Sequence, residues 1–117
     1  MIESIRLDSF ESEVLEEKRP VLLAYIRRDH EYKKQTEVLE SISERYGDTL
    51  KICLLDGNLS GAYKKLGIEG DPTFFVFYKE KEKGRMLGKA DRESLCSFVL
   101  QALPNFQDNN EAKDKRS

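Results

Sequence analysis

The stretch GIEGDPTFFVF, residues 67–77, decides how the rest of the chain is read. Gly67 suits a helix C-terminus, where a left-handed residue closes the last turn without a Cβ clash. From Thr73 to Tyr78 every residue is aromatic or β-branched, and such side chains pack well on a pleated surface. Asp71 and Pro72 stand between. Proline has no N–H to give to a sheet ladder, so Pro72 belongs at the first position of the strand or just before it. A helix stop, a proline and a β-rich run within eleven residues mark a passage from a helix into a sheet.

Upstream, Val21 to Ile26 (VLLAYI) and Leu50 to Leu55 (LKICLL) are apolar runs rather than alternating ones. That pattern fits central strands covered on both faces. Between them, Gln35, Leu39, Ile42 and Tyr46 recur at steps of four, three and four, with Val38 beside them. This spacing predicts a helix over roughly residues 32–46, stopped by Gly47. Asn58 to Leu66 predicts a short helix capped by Asn58 or Ser60. Ser4 to Leu7 fits a short edge strand. A helix is expected from Asp8, capped by Asp8 or Ser9, with Glu11 and Glu13 in its first turn and Phe10, Val14 and Leu15 on one face. Lys18, Arg19 and Pro20 end it.

Downstream, KEKEKG, residues 79–84, reads as a charged hairpin turn, and Arg85 to Leu87 as the returning strand. Charge there guards a sheet edge against pairing with another chain. A last helix is expected from the N-cap Asp91, burying Leu95, Phe98, Val99, Ala102 and Leu103, and ended by Pro104. The sum is one domain over residues 1–104 and a polar C-terminal tail over 105–117, whose composition predicts disorder. The fold class is α/β: a three-layer α/β/α sandwich with a mixed central sheet of four or five strands and about four helices.

Composition narrows the function. The 117 residues hold 20 Lys+Arg against 22 Asp+Glu, so there is no basic excess to hold a phosphate backbone, and nucleic acid is not an expected partner. No apolar run approaches the roughly 18 residues of a membrane span, and the first residues lack a basic region followed by an apolar run. A cytoplasmic protein is the expectation. Two cysteines and one histidine are poor material for a structural zinc site, which needs four N or S ligands at short paired spacings. No metal or cofactor is expected.

The segment around Asp71, Pro72 and Thr73 resembles the thioredoxin family, in which a glycine-any-proline-threonine step carries a cis proline at the start of the hairpin strand. The likeness extends outward over roughly residues 4–103. DSFESEVL is similar to that family's first helix, VLLAYI to its central strand, VLESISERYGDTLKICLLD to its second helix and following strand, and GKADRESLCSFVLQAL to its closing strand and last helix. The family's Cys-x-x-Cys motif would fall on Asp29, His30, Glu31 and Tyr32, in a loop one residue shorter than usual. There is no cysteine from Val21 to Ile52, the family's buried relay aspartate is replaced by Ala24, and the chain has no tryptophan. Dithiol exchange needs an attacking thiolate and a resolving thiol, so the resemblance implies the scaffold without its chemistry.

Several side chains are open to two readings. Cys53 and Cys96 are small core hydrophobes or a relocated redox pair. Asp29, His30 and Glu31 are a helix cap, a solvated ring and a dipole-favoured carboxylate, or an acid–base cluster centred on His30. Arg27 and Arg28 are a solvated loop or a contact for an anion or acidic peptide. In the family, the residue before the cis proline pairs with substrate backbone as a short added strand. Asp71 would hold that place. The expected function is therefore a non-catalytic thioredoxin-like domain that binds a protein or peptide through Asp29, His30, Glu31, Tyr32, Asp71, Pro72 and Thr73. The alternatives are non-redox catalysis at His30 and residual redox activity through Cys53 or Cys96.

Overall fold

The computed structural model describes residues 2–56 and 59–106. Strands β1 (Ile2–Arg6), β2 (Val21–Tyr25), β3 (Lys51–Asp56), β4 (Thr73–Tyr78) and β5 (Lys81–Leu87) form one sheet in the order β1-β3-β2-β4-β5. β3 is parallel to both β1 and β2, whereas β4 is antiparallel to β2 and to β5. Helices α1 (Tyr32–Tyr46), α2 (Leu59–Leu66) and α3 (Arg92–Ala102) complete the main elements. This is the thioredoxin-like α/β/α sandwich on a mixed sheet.

Strand pleating sorts the core into two layers, because alternate side chains of β2 point to opposite faces. Leu22 and Ala24 lie with Leu39, Ile42, Phe74, Leu95 and Val99, under α1 and α3. Val21, Leu23 and Tyr25 lie with Phe10, Val14, Cys53, Phe75 and Phe77, under the N-terminal helical segment. Phe74 and Phe75 are neighbours in sequence, both fully buried, one in each layer. Burial of each stabilises the fold by roughly 2–3 kcal/mol.

α1 and β4 span the residues expected of them. Gln35, Leu39, Ile42 and Tyr46 are all buried. Asp91 caps α3 by accepting a hydrogen bond from the Ser94 N–H at 2.8 Å.

Other expectations need correction. The first strand is Ile2–Arg6 rather than Ser4 to Leu7. The single capped helix from Asp8 is instead a 3-10 turn, Leu7–Ser9, followed by a π-helical turn, Glu11–Leu15, with no side-chain cap bond on either. Phe10 and Val14 are buried there all the same. Tertiary burial of those two side chains, more than capping, fixes so short a segment. The returning strand is also longer, because the hairpin turn takes only Lys79 and Glu80, with φ of 53° and 68°. Positive φ at both central residues is the two-residue turn whose twist matches the strands. Phe98 and Ala102 are half-buried, whereas Leu95, Val99 and Leu103 are buried. The expected caps Asn58 and Ser60, and residues 107–117 of the expected tail, lie outside the described residues and side chains. Phe106 lies within them, and its ring centroid is 5.2 Å from that of Tyr46. No described helix is long and apolar enough to cross a membrane.

Candidate functional site

The site forms where the ladder between β2 and β4 runs out. Tyr25 pairs with Thr73, so one further step sets Ile26 against Pro72 and Arg27 against Asp71. Pro72 has no N–H and cannot continue the ladder. The Asp71 side chain substitutes for it: the Arg27 backbone N–H donates to Asp71 Oδ1 at 2.8 Å. The Asp71–Pro72 peptide is cis. Thr73 Oγ1 donates to the Gly70 carbonyl at 2.7 Å, and the Gly88 N–H donates to the Pro72 carbonyl at 2.8 Å. The proline loop is thus tied to the end of β2, to itself and to the end of β5.

Opposite the loop, residues 27–31 lead into α1. Asp29 does not cap the helix as expected. Its Oδ1 accepts from the Glu31 N–H at 2.9 Å, and its carbonyl accepts from the Tyr32 N–H at 3.1 Å. This is an aspartate turn one residue ahead of the helix. Glu31 occupies the cap position with helical φ and ψ and no side-chain cap bond, so an extended Asp29 cap has no place there. The Glu31 carboxylate instead meets Lys89 Nζ at 3.2 Å and His30 Nε2 at 3.9 Å. The His30 side chain is 86% exposed. The Arg28 guanidinium lies 4.7 Å from the centroid of the Tyr32 ring.

The orientation of α1 against this loop depends on a pairing that the sequence pattern does not reveal. Gln35 Nε2 donates to the Ala90 carbonyl at 3.3 Å, and the Ala90 N–H donates to Gln35 Oε1 at 3.2 Å. Both residues are buried. A glutamine on the buried stripe is the only signal that could have pointed there. The pairing fixes the link that carries Lys89 to Glu31, so the helix mouth is held from outside the sheet as well.

Neither cysteine belongs to this face. Cys53 is fully buried on β3, between Glu3 of β1 and Leu23 of β2. Burial pushes its thiol up to about 12, outweighing the opposing influence of Lys51. A thiol so held is protonated at neutral pH and is a poor nucleophile. Cys96 is half-buried on α3, in a groove with Arg45, Met86 and Phe98. Both are free thiols. Ala24 is fully buried between Leu54 and Phe74. A carboxylate there would lose its hydration among apolar neighbours.

Chemically, the face offers paired charges, one solvated imidazole and the aromatic edge of Tyr32, while Pro72 and Thr73 are themselves buried beneath it. Leu87, 60% exposed, flanks the proline loop beside Gly70, which adds an apolar contact that the sequence reading did not select. Compared with protein-family models and with curated protein sequences, the chain matches none, so what the site does has to be argued from its own residues.

Proposed function

We propose that the chain is a thioredoxin-family domain without dithiol chemistry, and that it binds a protein or peptide as a chaperone, adaptor or complex subunit. The binding face is Asp29, His30, Glu31 and Tyr32 together with Asp71, Pro72 and Thr73. One observation carries this: the bond from the Arg27 N–H to Asp71 Oδ1 brings the proline loop against the helix mouth, while both sulfur atoms sit on other elements. Recognition of an extended chain by main-chain groups needs no sulfur, so the groove is useful without the reaction.

Two assays test the proposal. In insulin reduction, the wild type is expected to match a Cys53→Ser/Cys96→Ser control; a wild-type rate above the control refutes the loss of redox chemistry. Peptides selected by display against the wild type are then titrated onto a Tyr32→Ala/Asp71→Arg variant. Affinity is expected to fall at least about tenfold, the equivalent of 1.4 kcal/mol. Equal affinity for the variant moves binding off this face.

A further inference from the structure

The carboxyl ends of β2 and β3 enclose a crevice of about 190 Å³, whose wall includes Tyr25, Arg27, Arg28, Tyr32 and Asp56. It lies at a switch point of the sheet. The chain leaves β2 for β3 on the face of Leu39 and Ile42, and passes from β3 to β4 through α2 on the face of Leu66 and Ile68. The two connections part there and leave a gap between strand ends, which is where α/β sheets accept ligands. The volume is too small for a cofactor or a drug-sized molecule, but it has room for one compact polar group.

The groups around it are set for an anion. Arg27 Nε is 3.8 Å from Asp71 Oδ2, and Arg28 Nη2 is 3.7 Å from Asp56 Oδ1. Both separations are beyond hydrogen-bond length, so neither fork is filled. Arg19 and Arg85 show the contrast. Arg19 donates side-chain bonds to Glu17 and the Asp48 carbonyl, and Arg85 to Glu82 and the carbonyls of Leu66 and Gly67. Arg28 is nonetheless oriented, by the Tyr32 ring beneath it. Tyr25 is 7% exposed and lines the crevice, with its ring edge-on to that of Tyr63 at 6.4 Å between centroids. Burial raises the pKa of Tyr25, so it remains a donor at neutral pH.

We propose that this crevice receives the carboxylate side chain of a glutamate or aspartate in the bound peptide, held by the Arg27 and Arg28 guanidinium groups. The proposal rests on the peptide-binding function argued above and names its substrate class: an acidic segment. Asp56 is the competitor. An incoming carboxylate takes Arg28 from it, so Asp56 weakens binding while keeping the empty site neutral.

The test is an amide chemical-shift titration of the labelled protein with three probes. These are a blocked pentapeptide of alternating alanine and glutamate, its glutamine counterpart, and free glutarate. The glutamate peptide is expected to shift the amides of Arg27, Arg28, Tyr32 and Leu55 and to bind about tenfold tighter than the glutamine peptide. The preference should shrink with added salt, as exposed charge pairs do. Arg27→Gln/Arg28→Gln should abolish the preference, and Asp56→Asn should increase it. Equal binding of both peptides at the proline-loop face overturns the carboxylate pocket and leaves the peptide-binding function standing. Shifts from glutarate alone, with neither peptide bound, do the reverse. No shift from any probe overturns both.

Discussion

The bond between Asp71 and the Arg27 backbone is where fold and site are one feature, and its removal can be worked through. Asp71→Ala deletes the acceptor of a 2.8 Å bond and a 3.8 Å ion contact to Arg27 Nε. A hydrogen bond to a charged group contributes roughly 1.5–3 kcal/mol. The Asp71 side chain is 18% exposed and Arg27 is 58% exposed, so water takes up part of the loss and the low end applies. The ion contact adds at most about 0.5 kcal/mol at such exposure. The expected destabilisation is about 1.5–2 kcal/mol, or roughly 6–16 °C in the unfolding midpoint of a domain this size. Asp71→Asn keeps an acceptor at the same place and removes the charge, so it should cost less than half as much. Urea unfolding followed by circular dichroism measures both. Hydrogen exchange at the Arg27 amide should quicken in the alanine variant and stay near wild type in the asparagine variant. An alanine variant within about 0.3 kcal/mol of wild type, or an asparagine variant no better than alanine, would refute the role given to this side chain.

Other consequences follow from buried and charged groups elsewhere. Thiol trapping under native conditions should modify Cys96 while Cys53, fully buried and raised to about 12, reacts only as the protein unfolds; equal rates would contradict that burial. Glu17 is held at about 2, against its ordinary 4.5, chiefly by the side-chain bond from Arg19 and then by the Arg19 backbone N–H. A depressed carboxyl stabilises the fold above its unfolded pKa and loses that contribution as pH falls through the window from about 4.5 to about 2. The ceiling is about 3 kcal/mol, which screening around a 40% exposed Arg19 reduces to about 1 kcal/mol. Acid titrations of stability should therefore be flatter for Arg19→Ala than for wild type. Gln35→Leu leaves the Ala90 N–H and carbonyl without partners in a buried setting and should cost about 2–4 kcal/mol by urea unfolding; a loss under about 1 kcal/mol would show that the pairing does not hold α1. Lys79→Asn/Glu80→Gly supplies the residues that a turn with two positive φ values favours and should raise stability by about 1 kcal/mol, whereas a lowered melting point would contradict the turn geometry.

What was legible in the sequence, and what was not, divides along one physical line. Periodicity revealed the elements whose burial is extensive. α1 was readable because four side chains at helical spacing must share one face, and β2 because a strand covered on both sides has no position for a polar residue. The hairpin was misjudged because a charged edge strand and a charged turn look alike in composition, and Lys79–Glu80 lacks the glycine that announces the turn. The cap of α1, though not its start, was misjudged for a related reason. Asp29 can serve as a cap or close a turn ahead of the helix with the same oxygen, and only the backbone path, set by the tie from Arg27 to Asp71, decides between them. That tie spans 44 residues, and no local pattern encodes it. The same holds for Gln35 with Ala90 and for Lys51, which sits inside an apolar run yet reaches Glu13 at 2.8 Å and Glu17 at 3.4 Å. Each is a polar group held by partners distant in sequence rather than by a repeated pattern. The residue types of the face could be read from the chain, but its geometry depends on a few long-range polar bonds, and those bonds are where substitution should separate loss of fold from loss of binding.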